Sequence, residues 1–179
     1  IGGMYANRIH IVGTEKGFGV NQAGHLIAHD EFSLSADGRI TLAGATRAVS
    51  GALDIAATDT IENHGQTTGG SVKLQAKAEL LNSGLVQADR KAAISAGEAI
   101  RNTGTLIAAE TNLSTGELHN TGGHALIAGL DTLMAHAGAR LENRSGGQIF
   151  SLGDMRLTSD GAIVNESSLI EAGGTLALK

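Results

Sequence analysis

Apolar and polar residues alternate in short bursts along most of this chain. "SVKLQA" at 71–76, "KAAISA" at 91–96, "DTLMAHA" at 131–137, "DMRLTS" at 154–159 and "GTLALK" at 174–179 all change character at every second position. Period two is the signature of a strand with one covered face, and no stretch carries the 3.6-residue period of an amphipathic helix. "FSLSA" at 32–36 and "RITLAG" at 39–44 extend the pattern upstream. The expectation is therefore an all-β protein.

The bursts recur in register with a second signal. Asn63, Asn82, Asn102, Asn120, Asn143 and Asn165 each follow an Ile or Leu by two positions, at Ile61, Leu80, Ile100, Leu118, Leu141 and Ile163. Two positions beyond the Asn stand Gly65, Gly84, Gly104 and Gly122; the fifth unit delays its glycine to Gly146 and the sixth has Ser167. An aliphatic and a small residue come next, read as Val86 with Ala88, Ile107 with Ala109, Ile149 with Ser151 and Ile170 with Ala172. The spacing between units averages about 20 residues, the range of solenoid repeats. "NQAGHLIA" at 21–28 starts an earlier unit, and the Asn is missing from residues 30–60.

Twenty residues at ~3.3 Å each trace a closed path of about 66 Å, enough for three sides of roughly 20 Å. A three-sided coil that repeats stacks on itself, each strand pairing with its equivalent one coil away. The expected fold is a right-handed parallel β-helix of about nine coils, three short strands per coil, spanning residues 1–179 as a single body of roughly 43 Å. In that fold Asn63, Asn82, Asn102, Asn120, Asn143 and Asn165, with Gly65, Gly84, Gly104 and Gly122, are corner positions. Asn and Gly both enter the left-handed backbone region, and stacked Asn side chains can bond one another as a ladder. The end coils of such a stack, covered on one side only, are expected to fray.

Composition narrows the picture. Aromatic residues make up only 2% of a chain that is 41% hydrophobic, so the interior is built from small aliphatics. There are 26 Gly and no Pro, which leaves a backbone donor at every position a ladder needs. A formal net charge of −5, with no basic block, disfavours nucleic acid as a partner. No apolar run is long enough to span a membrane as a helix. Without Cys there are neither disulfides nor thiolate metal sites. The chain starts at Ile1 and stops in mid-pattern at Lys179, as expected of a piece of something longer.

Competing repeats fit poorly. Leucine-rich repeats need a denser L-x-x-L-x-L frame, calcium-binding nonapeptide coils need G-G-x-G-x-D, and helical solenoids do not tolerate this much glycine.

"GGMYANRIHIVGTEKGFGVNQAGHLIA", Gly2 to Ala28, resembles the segment that follows the secretion domain in the exoproteins of two-partner secretion. The "N-x-G-x-h-x-A" units, clearest over 61–179, resemble filamentous haemagglutinin repeats. The resemblance implies a Gram-negative protein exported through an Omp85-type outer-membrane transporter and folding as a fibre at the bacterial outer surface. Within that family such repeats form stalks of CdiA-type contact-dependent growth inhibition effectors, which carry a receptor-binding region and a toxin to neighbouring bacteria, and also host-directed adhesins. The expected partner at the far end is a receptor on a neighbouring bacterium or host cell. The repeats of the family carry no catalytic residues, so none are assigned, and no cofactor or metal is expected.

Candidate chemistry is sparse. His25 and His29, beside Asp30 and Glu31, form a thin metal-site candidate. His119, His124 and His136 fall at different positions of their units and read as surface residues. Many β-helical enzymes act on polysaccharides with clustered carboxylates. Here Asp37, Asp54, Asp59, Asp89, Asp131, Asp154 and Asp160 sit mostly where turns are expected, so the chain reads as a non-enzyme.

Overall fold

The alternating stretches become sixteen strands in one continuous parallel sheet, wound into a solenoid. The structure, a computed structural model, describes residues 2–179; Ile1, counted in the opening segment and in the reading of a longer parent, lies outside the described residues.

Each coil has three sides. Side A begins at His25, Ala45, Gln66, Leu85, Thr105 and Leu126 in successive coils, which are direct partners in register. Side B carries the stack Phe32, Leu53, Val72, Ala92, Thr111, Leu133 and Met155. Side C carries Val20, Ile40, Ile61, Leu80, Ile100, Leu118, Leu141 and Ile163. The stack makes about eight turns, close to the nine that the repeat length implies, with sides A and B continuing at Leu169–Ala172 and Leu176–Leu178.

In the early coils sides A and B share one strand, as in His25–Ala36 and Gln66–Ala76, while side C is a short strand of its own, such as Ile40–Leu42 and Ile61–Asn63. From Leu85 to Arg144 all three sides fuse into strands that run round the corners, Leu85–Asn102, Thr105–Thr121 and Leu126–Arg144, and beyond them the sides separate again. Between sides A and B the register slips, by one residue where Gly70 faces Asp89 and Arg90 and where Ala109 faces Leu130 and Asp131, and by two where Val49, Ser50 and Gly51 face Gly70. Such bulges bend a strand without breaking the ladder. They also explain why the period wanders around its mean.

The core is built from inward columns on the three sides, whose hydrophobic members are aliphatic except for Phe32. Phe32, Leu53, Ile55, Ile61, Leu74, Leu80, Ile100, Leu106 and Leu118 are all fully buried. On side A the inward position is the fourth after the Asn, Val86 after Asn82 and Leu106 after Asn102. Val86 and Ala88 stack on Leu106 and Ala108, which are buried, while Ile107 and Ala109, expected inside, are half-buried on the outer surface. A slip of one residue in a period-two pattern exchanges the two faces.

Residues 30–60, which lack the Asn, keep the register. Leu42 takes the column position between Gln22 and Asn63, all three pairing in sequence. Gln22, and not its neighbour Asn21, supplies the inward amide of the first coils: its Nε2 donates to the Gly24 carbonyl at 2.6 Å, and its Oε1 accepts from the Gly44 N–H at 3.1 Å.

Leu42 has a visible cost. Thr67 Oγ1 donates to Asn63 Oδ1 at 3.1 Å, but its counterpart one coil earlier, Thr46, is fully buried with no partner for its hydroxyl. Leu42→Asn restores an acceptor for Thr46 and a donor for Asn63. It is expected to cost about 1 kcal/mol or less, whereas Ile40→Asn, which buries an amide with nothing to meet it, costs about 3 kcal/mol. Urea midpoints of the two variants check this, and equal losses would remove the argument.

Candidate functional site: the corner ladder and the outer faces

The six Asn side chains form one unbroken chain of hydrogen bonds. Asn63 Nδ2 donates to Asn82 Oδ1 at 2.7 Å, Asn82 to Asn102 at 2.7 Å, Asn102 to Asn120 at 2.8 Å, Asn120 to Asn143 at 2.8 Å and Asn143 to Asn165 at 2.9 Å. The first five are between 0 and 1% exposed. Each also donates to the carbonyl that opens side A of the coil above: Leu85 at 3.2 Å, Thr105 at 3.1 Å, Leu126 at 3.1 Å, Gln148 at 3.0 Å and Leu169 at 2.8 Å. A primary amide suits this post because it has two donors and a two-lone-pair oxygen. The ladder clamps side C of one coil to side A of the next.

The corner glycines play another part than the left-handed one expected of them. Of Gly65, Gly84, Gly104 and Gly122, only Gly122 has positive φ, at 109°. The other three stack directly over one another. A Cβ on Gly84 would overlap the Gly65 carbonyl oxygen and stand 2.8 Å from the His64 carbonyl carbon. Glycine is there because backbone passes over backbone. The same corner feeds both turn N–H groups of the coil above into one carbonyl, as when Ser83 and Gly84 donate to the Asn63 oxygen at 2.9 and 3.1 Å. At this corner left-handed backbone enters only in later coils, where the turn lengthens at Gly122 and at Ser145 with Gly146, and at Ser167; Gly17, also left-handed, sits in a different turn of the first coil.

Outside the core, side C bears a charge network that reading for clusters of like chemistry did not find. Glu62, Leu81, Arg101, His119 and Glu142 stand in one outward column. His119 Nδ1 lies 3.0 Å from Glu142 Oε2 and its Nε2 lies 2.9 Å from Glu117 Oε2. Glu142 also meets Arg140 at 2.6 Å and Arg144 at 3.4 Å, and Arg144 pairs with Glu166. His119, expected as a surface residue, is only 17% exposed. The signal was present in the sequence, since these residues are those immediately preceding each Asn.

Burial works to raise the Glu142 pKa, but the His119 hydrogen bond and the charges of Arg140, Arg144 and His119 outweigh it and hold the carboxyl below its ordinary value of 4.5. A carboxylate with a depressed folded-state pKa stabilises fully above its unfolded value, and that contribution fades as pH falls through the depressed one. Glu142→Gln is therefore expected to lower the urea midpoint at pH 7 and to converge on the parent protein toward pH 3. A gap that stays constant with pH would contradict it.

The remaining candidates are scattered. His29 Nδ1 lies 2.7 Å from its neighbour Asp30 Oδ1, while His25 stands on outer side A. Among the described residues no group of three His, Cys, Asp or Glu comes close enough to hold a metal ion. His136 bonds Thr158 at 3.1 Å on side B, and His124 is exposed in a turn. Asp37, Asp59 and Asp160 lie between strands, whereas Asp54 lies within Ala45–Ala57, facing Lys73 at 3.7 Å. Asp89 and Asp131 mark the bend between sides A and B, and Asp154 opens a strand and accepts from the Thr175 N–H at 2.8 Å. No described helix is long and apolar enough to cross a membrane.

Comparison with known proteins gives a consistent picture. The haemagglutinin repeat family matches residues 2–84, 67–145 and 126–179. A tRNA nuclease CdiA from Escherichia coli (strain STEC_O31) is 31% identical over 152 residues, 81% of this chain. A tRNA nuclease CdiA from Escherichia coli (strain NC101) is 33% identical over 92 residues, 50% of the chain, and tRNA nuclease CdiA-2 from Burkholderia pseudomallei (strain 1026b) is 47% identical over 49 residues, 27% of it. The chain spans 2 to 4% of the length of these relatives. No solved structure matches it.

Proposed function

We propose, from the premise that this chain belongs to the haemagglutinin repeat family, that it is a stiff, non-catalytic segment of the stalk of a two-partner-secreted effector of contact-dependent growth inhibition. The parent protein is exported through an outer-membrane Omp85-type transporter and stands on the outer surface of a Gram-negative bacterium. There the stalk presents a receptor-binding region and a toxin to neighbouring bacteria.

The observation that carries this reading is the family match along essentially the whole chain, joined to likeness with three CdiA proteins. Physical features support it. A chain without Cys cannot be crosslinked before it crosses a pore unfolded, and one without Pro escapes slow prolyl isomerisation as it folds on the far side. Each coil pairs only with its neighbours, so folding can advance coil by coil as the chain emerges. The clamp of Asn and Gly makes each coil the template for the next.

The test is to read the parent frame beyond Lys179 together with the gene that follows it, then to assay growth inhibition of neighbouring cells. A compact, non-repetitive C-terminal module with an adjacent small neutralising protein, and contact-dependent killing that this module requires, supports the stalk of a toxin. Repeats continuing to the end with no such neighbour would replace it with the host-directed adhesin.

A further inference from the structure

The outer face of side B holds a groove that the stalk reading does not use. It runs along the fibre axis with a volume of about 430 Å³. The floor is low because Ala93, Ser95 and Ser114 are small, while Lys73 rises at one end and Met134 and Arg156 at the other. Lys73, Ala93, Asn112, Met134 and Arg156 follow one another in direct register. The two cations are thus four coil steps apart, about 19 Å at ~4.8 Å per step.

The lining is selective in its charge. The chain carries a formal net charge of −5, yet no Asp or Glu lines this groove. Lys73 has only an exposed pairing with Asp54 at 3.7 Å, worth little, and Arg156 has no ion-pair partner among the described residues. Gln75, Ser95 and Ser114 spend none of their side-chain hydrogen bonds inside the protein among the described residues. An unused amide and unused hydroxyls between a weakly paired Lys73 and an unpaired Arg156 match a ligand with hydroxyls along its length and anionic groups at intervals.

We propose that this groove binds an acidic oligosaccharide, a uronate-bearing chain lying along the fibre axis, with its carboxylates at Lys73 and Arg156 and its hydroxyls over Gln75, Ser95 and Ser114. An acidic peptide fits less well. Peptides that dock on sheets do so by adding a strand to an open edge, and the backbone of side B is paired above and below through these coils. A neutral sugar fits less well too, because no Phe, Tyr or Trp lines the groove to stack on it. The inference does not rest on the stalk reading, since a spacer can carry a binding face and still space.

Tetragalacturonate, maltotetraose and an acidic peptide of poly-glutamate, titrated into the 179-residue chain by calorimetry, test it. Tetragalacturonate is expected to bind saturably and to weaken with added salt, and the other two are expected not to compete with it. Lys73→Gln and Arg156→Gln should each weaken binding roughly tenfold, the value of a hydrogen bond to a charged group. Ala93→Glu, which raises a carboxylate from the floor, should abolish it, and Lys16→Gln, far from the groove, should leave it unchanged. Melting curves of the variants separate loss of binding from loss of fold. Absence of tetragalacturonate binding, equal binding of maltotetraose, tighter binding of poly-glutamate, or indifference to the two cations would each overturn the proposal.

Discussion

Replacing Asn102 with leucine is expected to lower stability by about 3–5 kcal/mol and the melting temperature by about 10 °C. Leucine has the same branched shape but is bulkier, and its methyls would stand where atoms now meet at hydrogen-bond distance, so overpacking adds to the loss. The larger part comes from partners left behind. One N–H of Asn82 Nδ2 loses its acceptor while the other keeps the Thr105 carbonyl, Asn120 Oδ1 loses its donor, and the Gly104 and Leu126 carbonyls lose donors at 3.0 and 3.1 Å. A buried polar group without a partner costs about 1–3 kcal/mol, and at least two such groups are created at once. Asn165→Leu provides the comparison, because Asn165 ends the ladder and is exposed. It should cost under about 1 kcal/mol. Equal effects at the two positions, or none at Asn102, would mean that the ladder is not what holds the corner.

The second large effect is expected at Gly84. Alanine is compatible with its backbone, whose φ is not in the left-handed region. The cost lies between coils, where the added methyl meets the Gly65 carbonyl oxygen, the His64 carbonyl carbon at 2.8 Å and the Gly65 nitrogen at 2.9 Å. Backbone cannot move aside by changing rotamer, so the stack must open locally and strain the hydrogen bonds of the corner. Overpacking of side chains costs about 1–3 kcal/mol, and overlap with backbone belongs at or above the top of that range. Gly123→Ala is the control. Its Cβ would meet open space and its φ is not positive, so it should be neutral or slightly stabilising. Urea midpoints measure both, and a Gly84→Ala protein as stable as the parent would refute the stacked-corner account.

The repeat could be read from the sequence because three signals shared one period: the alternating bursts, the Ile or Leu two before each Asn, and the Asn itself. All three follow from stacking, which makes each coil solve the same problem in the same way. What escaped reading is where the chain solves it differently. Ile107 lies outside because the inward position on side A is the fourth after the Asn, Val86 after Asn82 and Leu106 after Asn102, and two adjacent aliphatics, Leu106 and Ile107, leave that choice open in the sequence. Leu42 was invisible as a ladder position because it keeps the shape of the column while abandoning its chemistry. The corner glycines were visible, but the reason for them was not. A close approach between coils leaves no mark in a single coil's sequence, and the left-handed explanation applies only to Gly122 among the four.

The outer faces were hardly legible, and for a physical reason. Inward positions repeat because every coil meets the same interior, whereas outward positions answer to solvent or to a partner. The network around Glu142 depends on which residue lies one coil above, so it appears only once the register is known. The groove on side B likewise depends on Lys73 and Arg156, far apart in sequence, lying in one column.

The central claim is that buried, mutually bonded Asn side chains clamp the coils into a rigid stack. Hydrogen exchange of the individual Asn carboxamide protons, followed by nuclear magnetic resonance, tests it most directly. The account predicts slow exchange at Asn63, Asn82, Asn102, Asn120 and Asn143, which are buried, and fast exchange at Asn21 and Asn165, which are exposed. Carboxamide protons that exchange at one common rate across all of these residues would contradict it.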